Sequence, residues 1–514
     1  MPAPRKKKPV KKTVKKAAKK AIRKTGRKIL VACSEAFPFS KSGGMADVCG
    51  SLPKALAKLG HDVRLVLPRY WCIGKEAFAL KRVLSPMGVV MGAETIWCEV
   101  YEGKYDGVKA YFIEHDGFFG RAGLYDDGKW EYPDNAERFS FFSKACMQLC
   151  RDLKFKPDII HCNDWQTSLI PAFLKTADSW DAYFKDTATV LTIHNIGYQG
   201  VFPGEVYDFL GIWPEHFTES KFESWGNVHF LKAGIFFADG ITTVSPSYAR
   251  EIITPEGGTG LAPYLERRKD DITGVLNGAD YDHWCPEKDP LIPARFSADD
   301  PSGKYICKEA LQREFGLKPD PGIPVIGIVS RFAHQKGFDL LAPVIKSIVN
   351  DMVVQFAILG SGEKYLEDYF GGLPAEFPGR IGAWVGFNNH KAHLIEAGSD
   401  FFLMPSLYEP CGLNQIYSLK YGTLPIVRDI GGLKDTVVQY NEQDGGGTGF
   451  KFDKADPMAV YYTVGWAVST YFDRPHHFKK MRDTAMRQSF CWKDSAREYE
   501  KVYDKALARR ATWA

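Results

Sequence analysis

"ILVACSEAFPFSKSGGMADVCGSLPKALAKLGHDVRLVL", residues 29–67, decides the fold. Residues 29–33 form an unbroken apolar run with the length of a buried strand. Met45, Val48, Leu52, Leu56 and Leu59 then recur at spacings of three and four, a helical period, and Gly60 fits a helix stop. Val63, Leu65, Val66 and Leu67 begin the next strand. Strand, loop, helix, strand is the unit of a parallel sheet. Between the first strand and its helix lies "KSGGMADVCG", residues 41–50, a lysine and paired glycines before an amphipathic run. Glycines let backbone approach a ligand closely, and a helix start offers unpaired N–H groups to negative charge. Lys41 adds a cation and Asp47 a carboxylate. A tight structural turn explains the same residues equally well.

The unit repeats along the chain. "KPDIIHCND" runs into Cys162, Asn163 and Asp164; "TVLTIHN" ends at His194 and Asn195; "DGITTVS" ends at Ser245. A Pro- and Asp-rich passage near 285–303 interrupts the series. It restarts with "IPVIGIVSR", ending at Arg331, "VVQFAILGSG", "DFFLMPS" and "LPIVRDIGG". Two successive α/β series imply two doubly wound domains. In such sheets ligands bind beyond the carboxyl ends of the strands, where these polar residues fall. A cleft between two facing domains is the expected site. "IGGL", residues 430–433, echoes the first glycine pair and suggests a second cradling loop.

Length and composition agree. A chain of 514 residues suggests two to four domains, and 45% apolar residues exclude wholesale disorder. No apolar run reaches the roughly 18–20 residues needed to span a bilayer. The net charge of +5 comes from one end. Residues 1–28 hold 14 Lys or Arg and no acid, which leaves 53 cations against 62 anions, a body near −9. The stretch 1–27 reads as a disordered, solvated basic arm, with loose binding of a polyanion as its functional alternative. It lacks the apolar core of a signal peptide. Eleven scattered cysteines show no zinc-site spacing and read as reduced, mostly buried thiols.

Two further blocks carry chemistry. "SRFAHQKG" sets Arg331 at a strand end and Lys336 five residues on, before Gly337 and a helix. Fixed cations there could neutralise a leaving diphosphate, and stabilising developing charge is usually the largest catalytic term. "SLYEPCGLNQIYSLKYGTLPIV" places Glu409 before Pro410 and Gly412 at a helix entry, where a carboxylate could accept sugar hydroxyls or simply meet the helix dipole.

Together these blocks resemble the glycogen and starch synthases of the bacterial and plant type, retaining glycosyltransferases with the two-domain GT-B fold. "HNIGYQG", "LKAGIFFADGITTVSPSYAREI", "GVLNGAD", "GGLKDTV" and "FCWKDSAREYEKVY" also fit, in family order from about residue 28 to 505. Met45 stands where the family's glycine loop has Leu, Gln166 where it often has His, and Asn414 where it often has Thr. The resemblance implies transfer of glucose from ADP-glucose to the non-reducing end of an α-1,4-glucan, glycogen or starch, with retention. UDP-glucose or a small sugar acceptor is the alternative. It implies that Lys41, Gly43, Gly44 and Asp47 meet the nucleotide sugar, and that Arg331 and Lys336 grip its diphosphate. Glu409, helped by Cys411, Gly412 and Leu413, would hold the glucose. His194 and Asp164 would lie by the reacting carbon, Asn195 and Asn277 near the donor, and Phe387 beside the nucleobase. No metal or other cofactor is expected, since arginine and lysine supply the charge and no Asp-x-Asp pair ends a strand. Tyr417 stands eight residues after Glu409, where many GT-B enzymes carry a second Glu. That favours a front-face route without a carboxylate nucleophile. The resemblance further implies an acceptor domain over 28–270, a nucleotide-sugar domain over 271–489 and a helix over 490–514 packed back on the first. Location would be cytoplasmic rather than plastid, with no membrane partner. Competing readings are a nucleic-acid factor working through the arm and an inactive glucan-binding scaffold.

Overall fold

The computed structural model describes residues 26–512, so the basic arm lies almost wholly outside the described residues. Two large sheets organise the chain. In the first, seven strands run parallel in the spatial order Ile272–Gly274, Gly240–Thr243, Ala188–Ile193, Ile159–Asn163, Lys28–Ala32, Asp62–Pro68 and Val108–Glu114. The antiparallel strands Glu94–Tyr105 and Lys81–Met91 extend its edge. The second sheet is wholly parallel, in the order Ile381–Val385, Gln355–Gly362, Val325–Phe332, Phe401–Met404, Leu424–Arg428 and Phe450–Phe452. Strands buried on both faces read as continuous apolar runs, which is why the central strands were visible in the sequence.

The opening stretch folds as its pattern predicts. Residues Ile29 to Ala32 are buried, the helix Gly44–Lys58 turns Val48, Leu52 and Leu56 onto them, and Asp62–Pro68 pairs beside the first strand. The hairpin of Lys81–Met91 and Glu94–Tyr105 was not read from the sequence. A small antiparallel sheet of Val201–Pro203, Asn227–His229 and Glu223–Ser224 also escaped the reading.

The last helix, Trp492–Thr512, crosses to the first sheet. Tyr499 and Tyr503 are buried there, and the Tyr503 hydroxyl lies 2.9 Å from Nδ1 of His161. Ser495 donates to the Leu276 carbonyl at 2.7 Å. Gly278 is the contact point: a Cβ there would stand 2.6 Å from the Trp492 nitrogen. Removing everything after residue 488 would strip this cover from buried strands. The truncated chain is expected to be insoluble or to melt far below the full chain in a thermal scan; a soluble, fully active truncation would show the helix to be dispensable.

The sheets are also joined on the side of the glycine pair Gly431–Gly432. Ser247 donates its main-chain N–H and its hydroxyl to Asp435, each at 2.7 Å. In return Glu251 accepts from the Gly431 N–H at 2.8 Å. Each of two short helices, Pro246–Glu251 and Gly431–Thr436, thus has an end satisfied by a carboxylate of the other.

Candidate active site

Each sheet winds outward in one direction and then returns to the other side of its starting strand. The reversal falls between Lys28–Ala32 and Ile159–Asn163 in the first sheet, and between Val325–Phe332 and Phe401–Met404 in the second. The crevice beyond the carboxyl ends at such a point is where open α/β sheets hold ligands. Glu35, Lys41, Gly43, Gly44 and Asp164 follow the first pair of strands. Arg331, Lys336 and Glu409 follow or end the second.

Asp164 sits in the left-handed region at φ 54, a conformation that Asp tolerates better than most residues. There its Oδ1 accepts the His194 N–H at 2.7 Å, and the Asn195 N–H also donates to the carboxylate. Burial pushes the Asp164 carboxyl up to about 7 against those two hydrogen bonds. His194 is itself buried, and loss of solvent holds its imidazole down at about 3, so the ring is neutral. Asn163 gives its Nδ2 hydrogen to the Ala32 carbonyl at 3.0 Å, which leaves its Oδ1 to accept from His194 Nε2 at 2.9 Å. The imidazole is therefore fixed at one nitrogen by a side chain the sequence reading left without a role.

The glycine loop is held from behind. Glu35, only 3% exposed, accepts the Ser42 N–H through a very short hydrogen bond, and the Gly43 N–H adds a second. Burial nevertheless pushes the Glu35 carboxyl up to about 7. Lys41 reaches both oxygens of Asp47 at 2.8 Å. A Cβ on Gly44 would meet nothing within 4 Å, so no neighbour in the protein demands glycine there. The open space faces whatever approaches the loop. Glu35 stood in the quoted stretch without a function, because nothing in its spacing shows it folding back onto Ser42. Glu35→Ala is expected to raise KM for the donor about ten-fold through loss of the hydrogen bonds that hold the loop, with Glu35→Gln, which keeps an acceptor oxygen, recovering part of the loss. Initial rates against donor concentration check both.

On the second sheet, Lys336 Nζ lies 2.6 Å from Oε2 of the buried Glu409, and the Ser406 hydroxyl donates to the same oxygen at 3.0 Å. The cation and the carboxylate, which the sequence treats separately, form one unit. Arg331 is exposed at the mouth, 3.5 Å from the Tyr198 hydroxyl of the other domain. The Asn195 side chain meets Tyr408, and a Cβ on Gly197 would stand 3.1 Å from that tyrosine's hydroxyl. The two half-sites thus touch through the segment that carries His194.

Asn277 is buried and hydrogen-bonds Cys411, whose thiol burial pushes up to about 12. Its Oδ1 has no partner among the described residues. Gly412, at φ 71, and Leu413 lead into the helix Asn414–Lys420. Phe387 projects into solvent at 87% exposure and is not brought against the other candidates. Trp165 packs in the core against Phe139, Phe202 and Phe230. The second glycine pair differs from the first. A Cβ at Gly431 would collide with the Glu409 carbonyl oxygen at 1.9 Å, and one at Gly432 with that of Cys411 at 2.1 Å. These glycines serve close packing, and the Gly431 N–H is spent on Glu251. The echo in sequence is not a second open cradle. Among the described residues no group of three or more His, Cys, Asp or Glu is arranged to hold a metal ion.

Two doubly wound domains with facing switch points, a lysine–glutamate unit on one and a neutral buried histidine on the other, define a glycosyltransferase of the GT-B type. A family model described as the starch synthase catalytic domain matches residues 28–267, and one for group 1 glycosyl transferases matches residues 312–480. Glycogen synthase 1 of Geobacter metallireducens is 47% identical over 489 residues, covering 94% of this chain and 97% of that protein. Glycogen synthase of Treponema denticola is 44% identical over 493 residues, 94% of this chain and 99% of that protein. The chain belongs to the glycogen synthase family. The catalytic domain of starch synthase IV from Arabidopsis thaliana, solved bound to ADP and acarbose, superposes with a TM-score of 0.86 at 31% identity, covering 94% of this chain and all of that one. Sucrose-phosphate synthase from Thermosynechococcus elongatus shares the fold at a TM-score of 0.57 and 15% identity, over 93% of this chain and 99% of that one.

Proposed function

We propose that the cleft transfers glucose from ADP-glucose to the non-reducing end of an α-1,4-glucan, with retention of configuration. The observation that carries this reading is the facing of the Lys336–Glu409 unit and the Asp164–His194 pair at the two switch points. The relative solved bound to ADP and acarbose supports a nucleotide and a sugar-chain ligand.

In this reading Arg331 and Lys336 neutralise the diphosphate as the glucosyl bond breaks, and Lys41 and the open Gly43–Gly44 loop meet the donor from the other side. Glu409, helped by main-chain groups of Cys411, Gly412 and Leu413, orients the sugar hydroxyls. Asn195 and Asn277 line the donor side, and Phe387 closes on the base when the cleft narrows. The neutral His194, tied at Nε2, is not a proton donor from that nitrogen, which favours its main-chain carbonyl as the group beside the anomeric carbon. Retention then proceeds on one face, with the leaving phosphate taking the acceptor proton. This reading needs no metal, because Arg331 and Lys336 supply the positive charge. The acceptor domain spans 28–270 with the helix over 490–514, and the donor domain 271–489. The bacterial glycogen synthases it resembles support a cytoplasmic location for the protein.

The test is where the sugar goes. Glycogen extended with radiolabelled glucose is digested with an exo-acting amylase specific for α-1,4 links at non-reducing ends. Label released as maltose is the expected outcome, and label retained in the limit dextrin would contradict the reading.

A further inference from the structure

The small sheet beside the cleft ends in a turn that local physics does not favour. Strands Glu223–Ser224 and Asn227–His229 are joined by Trp225 at φ 53 and Gly226 at φ 81. A two-residue hairpin with both φ positive prefers Asn-Gly or Gly-Gly, because a bulky L side chain in the left-handed region is strained. Among the described residues Trp225 is the one aromatic residue with positive φ. It recovers nothing by packing, being 97% exposed. The turn beneath it is firm. Glu223 accepts the Gly226 N–H at 2.7 Å, and a Cβ on Gly204 would stand 2.4 Å from the Gly226 carbonyl oxygen. A lone exposed apolar residue needs no explanation, but one kept at a backbone penalty on a rigid tip does.

The position of the tip suggests its use. The strand Val201–Pro203 leaves the His194 segment directly and pairs with Asn227–His229, Val201 opposite His229. His229 is tied back to Gln199 at 2.9 Å. Tyr198, beside Arg331, is half exposed, and so is Val201. Trp225 lies four residues before His229, at the end of the sheet away from Val201 and about 13 Å from it at roughly 3.3 Å per residue. Exposed Tyr198, Val201 and Trp225 therefore mark a path from the cleft mouth outward. A polymeric acceptor has sugar units that extend past the reacting end, and the apolar face of a pyranose fits a flat indole.

We propose that Trp225 is a remote acceptor subsite, stacking on a glucose unit of an α-glucan chain several residues from its growing end. The proposal rests on the glucan-synthase reading. It is tested with Trp225→Asn, whose side chain suits the turn and should leave the melting temperature equal or higher, and with Trp225→Phe. Initial rates are measured at saturating ADP-glucose with glycogen and with maltotriose, which is too short to reach from the cleft to the tip. Trp225→Asn is expected to raise KM for glycogen about ten-fold while maltotriose kinetics stay within about two-fold, and Trp225→Phe to keep most of the glycogen affinity. An unchanged KM for glycogen, or equal losses with both acceptors, would overturn the subsite. Failure of the wild-type protein to extend either acceptor would strike the synthase reading instead, and the subsite with it.

Discussion

Glu409→Ala and Lys336→Ala are each expected to lower kcat for glucose transfer by about 10²–10³, equivalent to roughly 3–4 kcal/mol of barrier. The two side chains meet at 2.6 Å, with Ser406 on the same carboxylate oxygen, so each variant disables a shared unit. Their effects should therefore combine far less than additively, and the double variant should be little worse than either single one. Glu409 is 6% exposed at its side chain and Lys336 19%. Removing Lys336 leaves a nearly buried carboxylate unpaired, so some loss of stability is expected with the loss of rate. Glu409→Gln separates the two: it keeps the shape and the Ser406 contact but not the charge. A folded Glu409→Gln protein with near-normal kcat would show that the carboxylate is not needed for turnover.

The second large effect is expected at Asp164. Its ionised carboxylate accepts two main-chain N–H groups of the segment bearing His194. Asp164→Ala frees that segment and should reduce kcat by about 10² or more. Burial holds the carboxyl at about 7, so the ionised form prevails only above that pH. Activity should then rise with pH through about 7, and Asp164→Asn, which cannot titrate, should flatten that limb. Glu35, also near 7, lies close enough for each charge to disfavour the other, so the limb reports both groups. A profile unchanged by Asp164→Asn would assign the limb to Glu35 or to the substrate.

Much of this was legible in the sequence, for a physical reason. Parallel strands buried on both faces announce themselves as apolar runs, and the polar residues that end them fall where ligands bind. Ile29 to Ala32, the run before Asp164 and the run before Arg331 were all found in this way. The hairpin Lys81–Met91 and Glu94–Tyr105 was not, because its alternation is broken by Ser85–Pro86 and by charged residues. A usable signal existed one turn later, at Asp106–Gly107, whose positive φ values, 46 and 86, are those of a tight hairpin turn joining Glu94–Tyr105 to Val108–Glu114. Contacts distant in sequence were out of reach. Asn163 on His194, and Glu251 and Asp435 each on the other's helix, depend on how the chain returns, and Glu35 on Ser42, only seven residues away, on how the loop between them folds back. The two glycine pairs look alike as letters. Only the carbonyl oxygens that would stand 1.9 Å and 2.1 Å from a Cβ on the second pair distinguish packing from an open cradle.

The most direct test is the initial rate of glucose incorporation into glycogen by the wild-type protein, with ADP-glucose and UDP-glucose in parallel. Rapid transfer from ADP-glucose, with UDP-glucose far slower, is the expected result. A folded protein that transfers glucose from neither donor would contradict the proposed function while leaving the fold intact.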